Sequence, residues 1–220
     1  MKYKLAVVVL GLLAVAVLRP LPAAPQPNEA RVVWEIDIDY KTPKSIMVKV
    51  PGEPKSQLFW YLPFTVTNRS GKDRLFAPEI VLYTNTGQVL RAGQGVNTIV
   101  YKTIKKLHNN PLLYDMVGIT GKLLQGQDNA KDGVAIFRDF DPKAASFEIF
   151  FSGLSGETAI IHLPRPIMVK EIGPGGKQMM VKKDKITLVK TLKLQYAVGT
   201  EAKDRLNAKI RLLRKGWVMR

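Results

Sequence analysis

The 220-residue sequence has no cysteine and only two histidines, His108 and His162. The first absence excludes thiol catalysis, iron–sulfur clusters and cysteine-ligated zinc, and the second leaves little imidazole for zinc, copper or haem. Acidic residues are also few, 18 against 34 Lys and Arg, for a formal net charge of +16. Only one long hydrophobic run occurs, at the N-terminus, and no repeat of 20–50 residues is visible. What is present is ordinary for a globular protein: 46% apolar and 24% charged residues, enough for a sizeable core and too apolar for wholesale disorder. A chain of this length suits one sandwich-type domain and can fold without disulfides, so the missing cysteines do not argue against export.

The N-terminus follows the order of a signal peptide. A basic start, Met1–Lys4, precedes fourteen residues without a polar side chain, Leu5–Leu18. Arg19-Pro20 and the small-residue stretch Leu21-Pro22-Ala23-Ala24-Pro25 come next. Cutting after Ala23 avoids placing Pro25 directly behind the scissile bond. A spanning helix needs about 20 apolar residues, and Arg19 interrupts this run, so an N-terminal membrane anchor is the second choice. A lipid-anchored form is excluded because no cysteine follows the apolar core. The expected organisation is a signal peptide at 1–23, a flexible lead-in at 24–30 and a single domain at 31–220, exported to the periplasm or beyond.

Beyond the lead-in, strand patterns dominate. Arg31–Tyr40 alternates, with Trp34, Ile36, Ile38 and Tyr40 on one face and Glu35, Asp37 and Asp39 on the other. Ile46, Val48 and Val50 alternate before the turn Pro51-Gly52-Glu53-Pro54. Gln57–Asn68 is aromatic and β-branched, a buried central strand in which Pro63 marks an edge or a bulge. Ile80–Thr84 and Gln88–Arg91 form a hairpin around Asn85-Thr86-Gly87. Further strands are expected at 134–137, 146–151, 159–163, 167–172 and 185–198. Val96–Leu107 fits a strand or a helix; the shared spacing of Val100, Ile104 and Leu107 points to a short helix ending near His108. The last segment is also ambiguous, with Leu206, Ile210, Leu213 and Trp217 on a helical stripe and Lys209–Leu212 alternating; a final strand paired with 185–198 is the preferred reading. About ten short strands at close spacing predict an all-β, immunoglobulin-like antiparallel β-sandwich with a short helical or irregular insertion.

Two stretches resemble telokin-like, immunoglobulin-fold domains of bacterial exported proteins. One is Leu62-Pro63-Phe64-Thr65-Val66-Thr67-Asn68-Arg69-Ser70-Gly71 with Ile80-Val81-Leu82-Tyr83 and Thr86-Gly87. The other joins Leu123 and Gly126 to Gly133-Val134-Ala135-Ile136-Phe137 and Phe147-Glu148-Ile149-Phe150. Together they span residues 57–151, under half of the chain. The resemblance implies a sandwich fold and, since members of such families mostly lack assigned activities, no particular function.

The charge is concentrated. Residues 24–164 carry 16 basic and 14 acidic groups, whereas residues 165–220 carry 15 basic and 4 acidic. Lys182, Lys183, Lys185, Lys193, Lys209, Arg211, Arg214 and Lys215 are therefore the candidate polyanion-binding surface, facing an anionic envelope polymer, a lipid surface or another envelope protein. The plainer reading of the same residues is a solvated face that maintains solubility.

Other constellations are weaker. Asp128-Asn129-Ala130-Lys131-Asp132-Gly133 has the outline of a calcium loop, with Asp139 in the twelfth place, but Ala130 stands where a ligand oxygen is needed and Lys131 competes. Asp37 and Asp39 share a strand face, which suits a cation or an acid–base pair as well as a wet surface. Gly153-Leu154-Ser155-Gly156 lacks the second glycine of a hydrolase elbow, since Glu157 takes its place. Gly93-Gln94-Gly95 lacks the context of a dinucleotide loop, and neither histidine has a triad pattern around it. Trp34, Phe59, Trp60 and Tyr61 could stack sugars or fill the core. No residue set for a cofactor or metal emerges.

The preferred reading is a non-enzymatic binding or structural protein of the cell envelope, with a secreted carboxylate-dependent hydrolase acting on glycans as the alternative. The protein recovered from its native host should begin near Ala24 by intact-mass spectrometry, and intact Met1 in a soluble cytoplasmic fraction would overturn the export assignment.

Overall fold

The computed structural model describes residues 24–28, 33–173, 176–199 and 205–220. The expected signal segment at 1–23 and the end of the lead-in, 29–30, lie outside the described residues. In chain order the strands are β1 (Asp37–Tyr40), β2 (Lys44–Val48), β3 (Gln57–Thr67), β4 (Arg74–Phe76), β5 (Glu79–Thr84), β6 (Val89–Arg91), β7 (Gly121–Leu123), β8 (Lys131–Arg138), β9 (Ser146–Ser152), β10 (Thr158–Ile172), β11 (Gln178–Val198) and β12 (Ile210–Met219). Between β6 and β7 lie helix α1 (Thr98–Leu107) and the one-turn helix α2 (Met116–Ile119).

The first sheet is organised by β3, whose aromatic and β-branched residues are buried on both faces. One edge of β3 pairs with β8 and the other with β1 and β2 in succession, all antiparallel. The register between β1 and β2 slips by one residue at Lys41–Pro43. Pro63 faces this slip: its carbonyl accepts from the Lys41 N–H at 2.9 Å, and its missing N–H falls where the partner strand is irregular. The bulge implied by Pro63 therefore sits in the neighbouring strand, and β3 itself remains central.

The second sheet runs β12–β11–β9–β5–β6, with β10 continuing beyond β9 along the same edge of β11. The two sheets enclose one core, in which Trp60, Leu62, Phe64, Val66 and Phe137 meet Ile80, Leu82, Phe147, Ile149, Phe151, Leu194 and Tyr196. The protein is thus an all-β antiparallel sandwich, as its alternating pattern predicts. On the outer face of β3 and β8, Phe59, Tyr61, Val134 and Ile136 pack against Val100 and Ile104 of α1. Asn97 caps that helix by accepting from the Ile99 N–H at 3.0 Å, and Lys105 and Lys106 complement its C-terminal carbonyls. The helical alternative for 96–107 is the observed one, although Leu107 faces solvent.

Several strands differ from their expected extents; β8, expected at 134–137, spans Lys131–Arg138. β1 is confined to Asp37–Tyr40, because Trp34–Ile36 bond instead to the loop after β9: the Ile36 N–H donates to the Leu154 carbonyl at 2.7 Å and the Gly156 N–H to the Trp34 carbonyl at 3.1 Å. A side chain at position 156 would collide with the Trp34 indole. The segments expected as separate strands at 159–163 and 167–172 are one strand, β10, with an irregularity between His162 and Ile167 where two prolines interrupt the ladder. β11 begins at Gln178, not 185, and continues for 21 residues. The final segment is the strand paired with β11.

The length of β11 has an architectural consequence. Its second half, from Lys190, belongs to the sandwich between β9 and β12; Val189 still bonds to Arg220 just past β12, and, among the described residues, 178–188 pair with β10 alone. This half of the ribbon leaves the body as a two-stranded arm. Lys190 marks its root and is 1% exposed. Its ammonium donates to Glu35 Oε1 at 2.7 Å and to the Asn28 carbonyl at 2.9 Å, and lies 3.1 Å from Glu157 Oε2. The Trp217 ring lies 5.3 Å away. Glu157 Oε1 in turn accepts from the backbone and side-chain nitrogens of Asn28 at 2.8 and 3.1 Å.

Burial disfavours the charge on Lys190, but the two glutamates outweigh it and hold the pKa above its ordinary 10.5. The Asn28 N–H, opposed by burial and aided by Lys190, holds Glu157 below its ordinary 4.5. Glu157 therefore stabilises the fold above pH 4.5 and loses that contribution as pH falls through its folded value; Lys190 contributes below pH 10.5 and loses its share as pH rises through its own. Lys190→Met, which strands two buried carboxylates, should cost about 3–5 kcal/mol in urea unfolding at pH 7. The stability gap between wild type and Glu157→Gln should narrow between pH 5 and pH 3.

Candidate functional site

Of the eight basic residues singled out from sequence, Lys193 stands alone in the sandwich half of β11 and the other seven separate into two groups. Lys182, Lys183 and Lys185 lie on the arm; Lys209, Arg211, Arg214 and Lys215 lie on or just before β12, at the edge of the sandwich. Arg211 pairs with Ala197 of β11, twelve positions from Lys185 on the same strand. At ~3.3 Å per residue that is roughly 40 Å, so one compact ligand cannot bridge both.

The members are not equally available. Lys182, Lys185, Lys209, Arg211, Arg214 and Lys215 are exposed. Lys183 is half-buried and paired with Glu171. Lys193 is bonded to Glu148 at 2.8 Å and lies 5.6 Å from the Phe150 ring centroid, so its charge is already matched within the sheet. Lys215 extends over the Tyr40 ring at 5.7 Å. Leu192 and Leu194 face the core, and Ile210 is half-buried against it.

The structure adds three exposed cations to the arm: Arg165, Lys170 and Lys177. They belong to the basic C-terminal quarter, but their proximity to Lys182 and Lys185 depends on the pairing of β10 with β11, which the sequence left unstated. In register, Met168 faces Lys182 and Lys170 faces Met180 across the ribbon. Around the irregularity in β10 lies an open groove of about 570 Å³, lined by Ile167, Val169, Lys170, Lys182, Lys185 and Ile186 among others. Against these cations the arm places only Glu171 and Asp184. Residues 158–189 are also unusually apolar for a solvated element, with Ile160, Ile167, Met168, Ile172, Met179 and Met180 all exposed.

A second concave feature, of about 190 Å³, lies on the first sheet and is lined by Asp39, Thr65, His108, Asn110 and Asp132 among others. Asp39 and Asp132 flank Thr65 in register, two strand spacings or roughly 10 Å apart. Asp132 is held by neutral donors, Thr65 Oγ1 at 2.6 Å and Asn110 Nδ2 at 2.7 Å. Asp39 is exposed and 3.5 Å from Lys41. The Asp37 carboxylate of the expected pair is bound to Arg69 at 2.6 Å.

The remaining sequence candidates resolve into structural roles. Phe59, Trp60 and Tyr61 are buried, so they form core, not an exposed sugar platform. In the loop resembling a calcium site, Gln127–Asn129 forms a 3-10 turn, Asp132 lies within β8, and Asp139 accepts from Trp60 Nε1 at 2.8 Å and Arg205 at 2.7 Å. These carboxylates do not converge, and among the described residues no three His, Asp or Glu gather as a metal site. His162 is exposed on the arm and His108 meets the Tyr61 ring edge-on.

No protein-family description, curated protein or solved structure matches the chain. Limited acylation with an amine-reactive ester, read by peptide mass spectrometry, should modify Lys182 and Lys185 first and Lys183 and Lys193 more slowly. Lys190 should remain unmodified until the protein unfolds.

Proposed function

We propose that the chain is an exported cell-envelope protein that works without catalysis, binding an anionic partner through its basic C-terminal quarter. The observation that carries this reading is the arm: a solvent-projecting ribbon with six exposed or half-exposed cations outside the sandwich, Arg165, Lys170, Lys177, Lys182, Lys183 and Lys185, against two carboxylates. Charges so placed attract an extended anion at long range and are screened beyond about 8 Å at physiological salt. The second group at Lys209, Arg211, Arg214 and Lys215 would engage the same extended partner at a distance. The signal-like N-terminus is consistent with an envelope location.

One observation favours the alternative, a glycan hydrolase: the cavity that holds Asp39 and Asp132. Their backbones stand two strand spacings apart on one face, which brings the roughly 6.5–9.5 Å carboxyl separation of an inverting pair within reach of the side chains. In that case Asp39→Asn and Asp132→Asn would each abolish release of reducing sugar from envelope glycans.

The binding reading is tested on a heparin column. The protein should be retained at low salt and released steeply as salt rises. Lys182→Glu, Lys185→Glu and Arg214→Glu combined should abolish retention without unfolding, since exposed substitutions cost about 0.5 kcal/mol or less each. Retention that is unchanged by these reversals would leave only a solubility role for the charge.

A further inference from the structure

The arm departs from an ordinary solvated ribbon in how it distributes apolar side chains. A two-stranded hairpin is marginal in water, and stable ones bury one face on a third element. Here residues 178–188 of β11 have β10 as their only strand partner among the described residues. Ile172 is 78% exposed, Met168 57% and Met180 51%, and all three share the face that leads back to the sandwich core. Ile167 and Met179, also exposed, point from the opposite face. Lys170, Lys177 and Lys182 lie among them, and the nearby Glu171 is paired with Lys183.

We propose that the outer half of this arm, residues 167–172 with 178–183, inserts into the interface of an anionic lipid bilayer. This rests on the reading of the chain as an envelope protein with an anionic partner, and it names the partner. Three features select lipid. A soluble polyanion would neutralise the lysines but leave Met168, Ile172 and Met180 in water. A protein groove would cover one face of the ribbon, whereas the apolar side chains leave from both. A bilayer interface covers both faces and offers acidic headgroups to lysines that stand opposite the methionines in register, Lys182 to Met168 and Lys170 to Met180.

Depth is limited by the backbone. Among the described residues, the outer edges of β10 and of 178–188 in β11 have no strand partners, and unpaired N–H and C=O groups are not tolerated in the hydrocarbon core. Insertion therefore stops about 5–10 Å into the headgroup–acyl boundary, with the sandwich outside.

The absence of cysteine makes the test local. Ile172→Cys in the full-length chain gives a single attachment point for an environment-sensitive fluorophore, and Leu112→Cys, an exposed apolar position off the arm, serves as control. On vesicles of phosphatidylglycerol and phosphatidylcholine, the label at 172 should shift to the blue and the label at 112 should not, whatever the N-terminal segment does. Vesicles of phosphatidylcholine alone and heparin should produce no shift. Lys170→Glu, Lys177→Glu and Lys182→Glu combined should raise the lipid needed for half-maximal shift more than about tenfold at 0.1 M salt.

Absence of a shift at 172 on acidic vesicles, with heparin retention intact, overturns insertion and leaves the broader binding reading standing. Loss of both removes both. A shift that appears without lipid and grows with protein concentration assigns the arm to a second copy of the chain, and an equal shift on uncharged vesicles removes the requirement for acidic lipid; either result overturns the proposal.

Discussion

The molecule is organised around one buried charge. Lys190 sits where β11 passes from arm to sandwich, and its ammonium joins four separate pieces of chain: the lead-in at Asn28, the segment before β1 at Glu35, the start of β10 at Glu157, and the Trp217 ring of β12. Apolar residues in place of all three ions would complete the core at less desolvation cost, because removing two glutamates and a lysine from water is only partly repaid by their attraction. What the ions supply is direction. A methyl group accepts any apolar neighbour, whereas an ammonium with three acceptors in place fixes where the lead-in, the loop 153–157 and the edge strand must stand. The arm leaves the body along a defined line because its root is built this way.

The loop 153–157 shows how the same ribbon serves two environments. β9 and β10 run along one edge of β11 with a short excursion between them, and that excursion is held by Trp34–Ile36. Gly153 adopts φ +88 with the Ala77 carbonyl oxygen 2.9 Å from where a Cβ would stand, and Gly156 leaves room for the Trp34 indole. On the core side of this joint the even-numbered residues of β11 are Leu192, Leu194 and Tyr196; on the arm side the same face carries Leu188, Ile186, Lys182 and Met180. The strand β11 is continuous, and only the covering sheet ends.

That continuity explains what the sequence disclosed and what it concealed. Alternation identified the strands of the sandwich, the burial of β3 and the helix at 98–107, since those signals are local. The arm was read as further sandwich strands because Ile160, Ile167 and Val169 alternate just as core residues do; whether a second layer lies over them depends on the other sheet, which ends sooner. Lys190 was invisible for the opposite reason: in Leu188-Val189-Lys190-Thr191-Leu192 it reads as one more surface lysine, and its partners at 28, 35 and 157 are distant in the chain. The basic residues of the candidate surface were legible as a composition bias. Their division into two groups was not, because it follows from the full length of β11 and the register of β12.

The edges of the second sheet are managed unequally. Along β12, Lys215 turns over Tyr40 from the inward-facing side and Arg220 lies against Tyr83 and Phe150, charges that discourage another strand from pairing there. The arm relies on its lysines and on the proline-bearing irregularity of β10 for such protection. Its geometry has a mechanical consequence as well. Hydrogen bonds between antiparallel strands lie across them, so a pull along the arm from its tip tightens both strands together and loads the rungs that join β11 to β9 and β12 in shear instead of opening them one at a time. Once its tip is held, a domain tethered through this arm would resist tension along the ribbon and yield far more readily to a force that peels β10 sideways from β11.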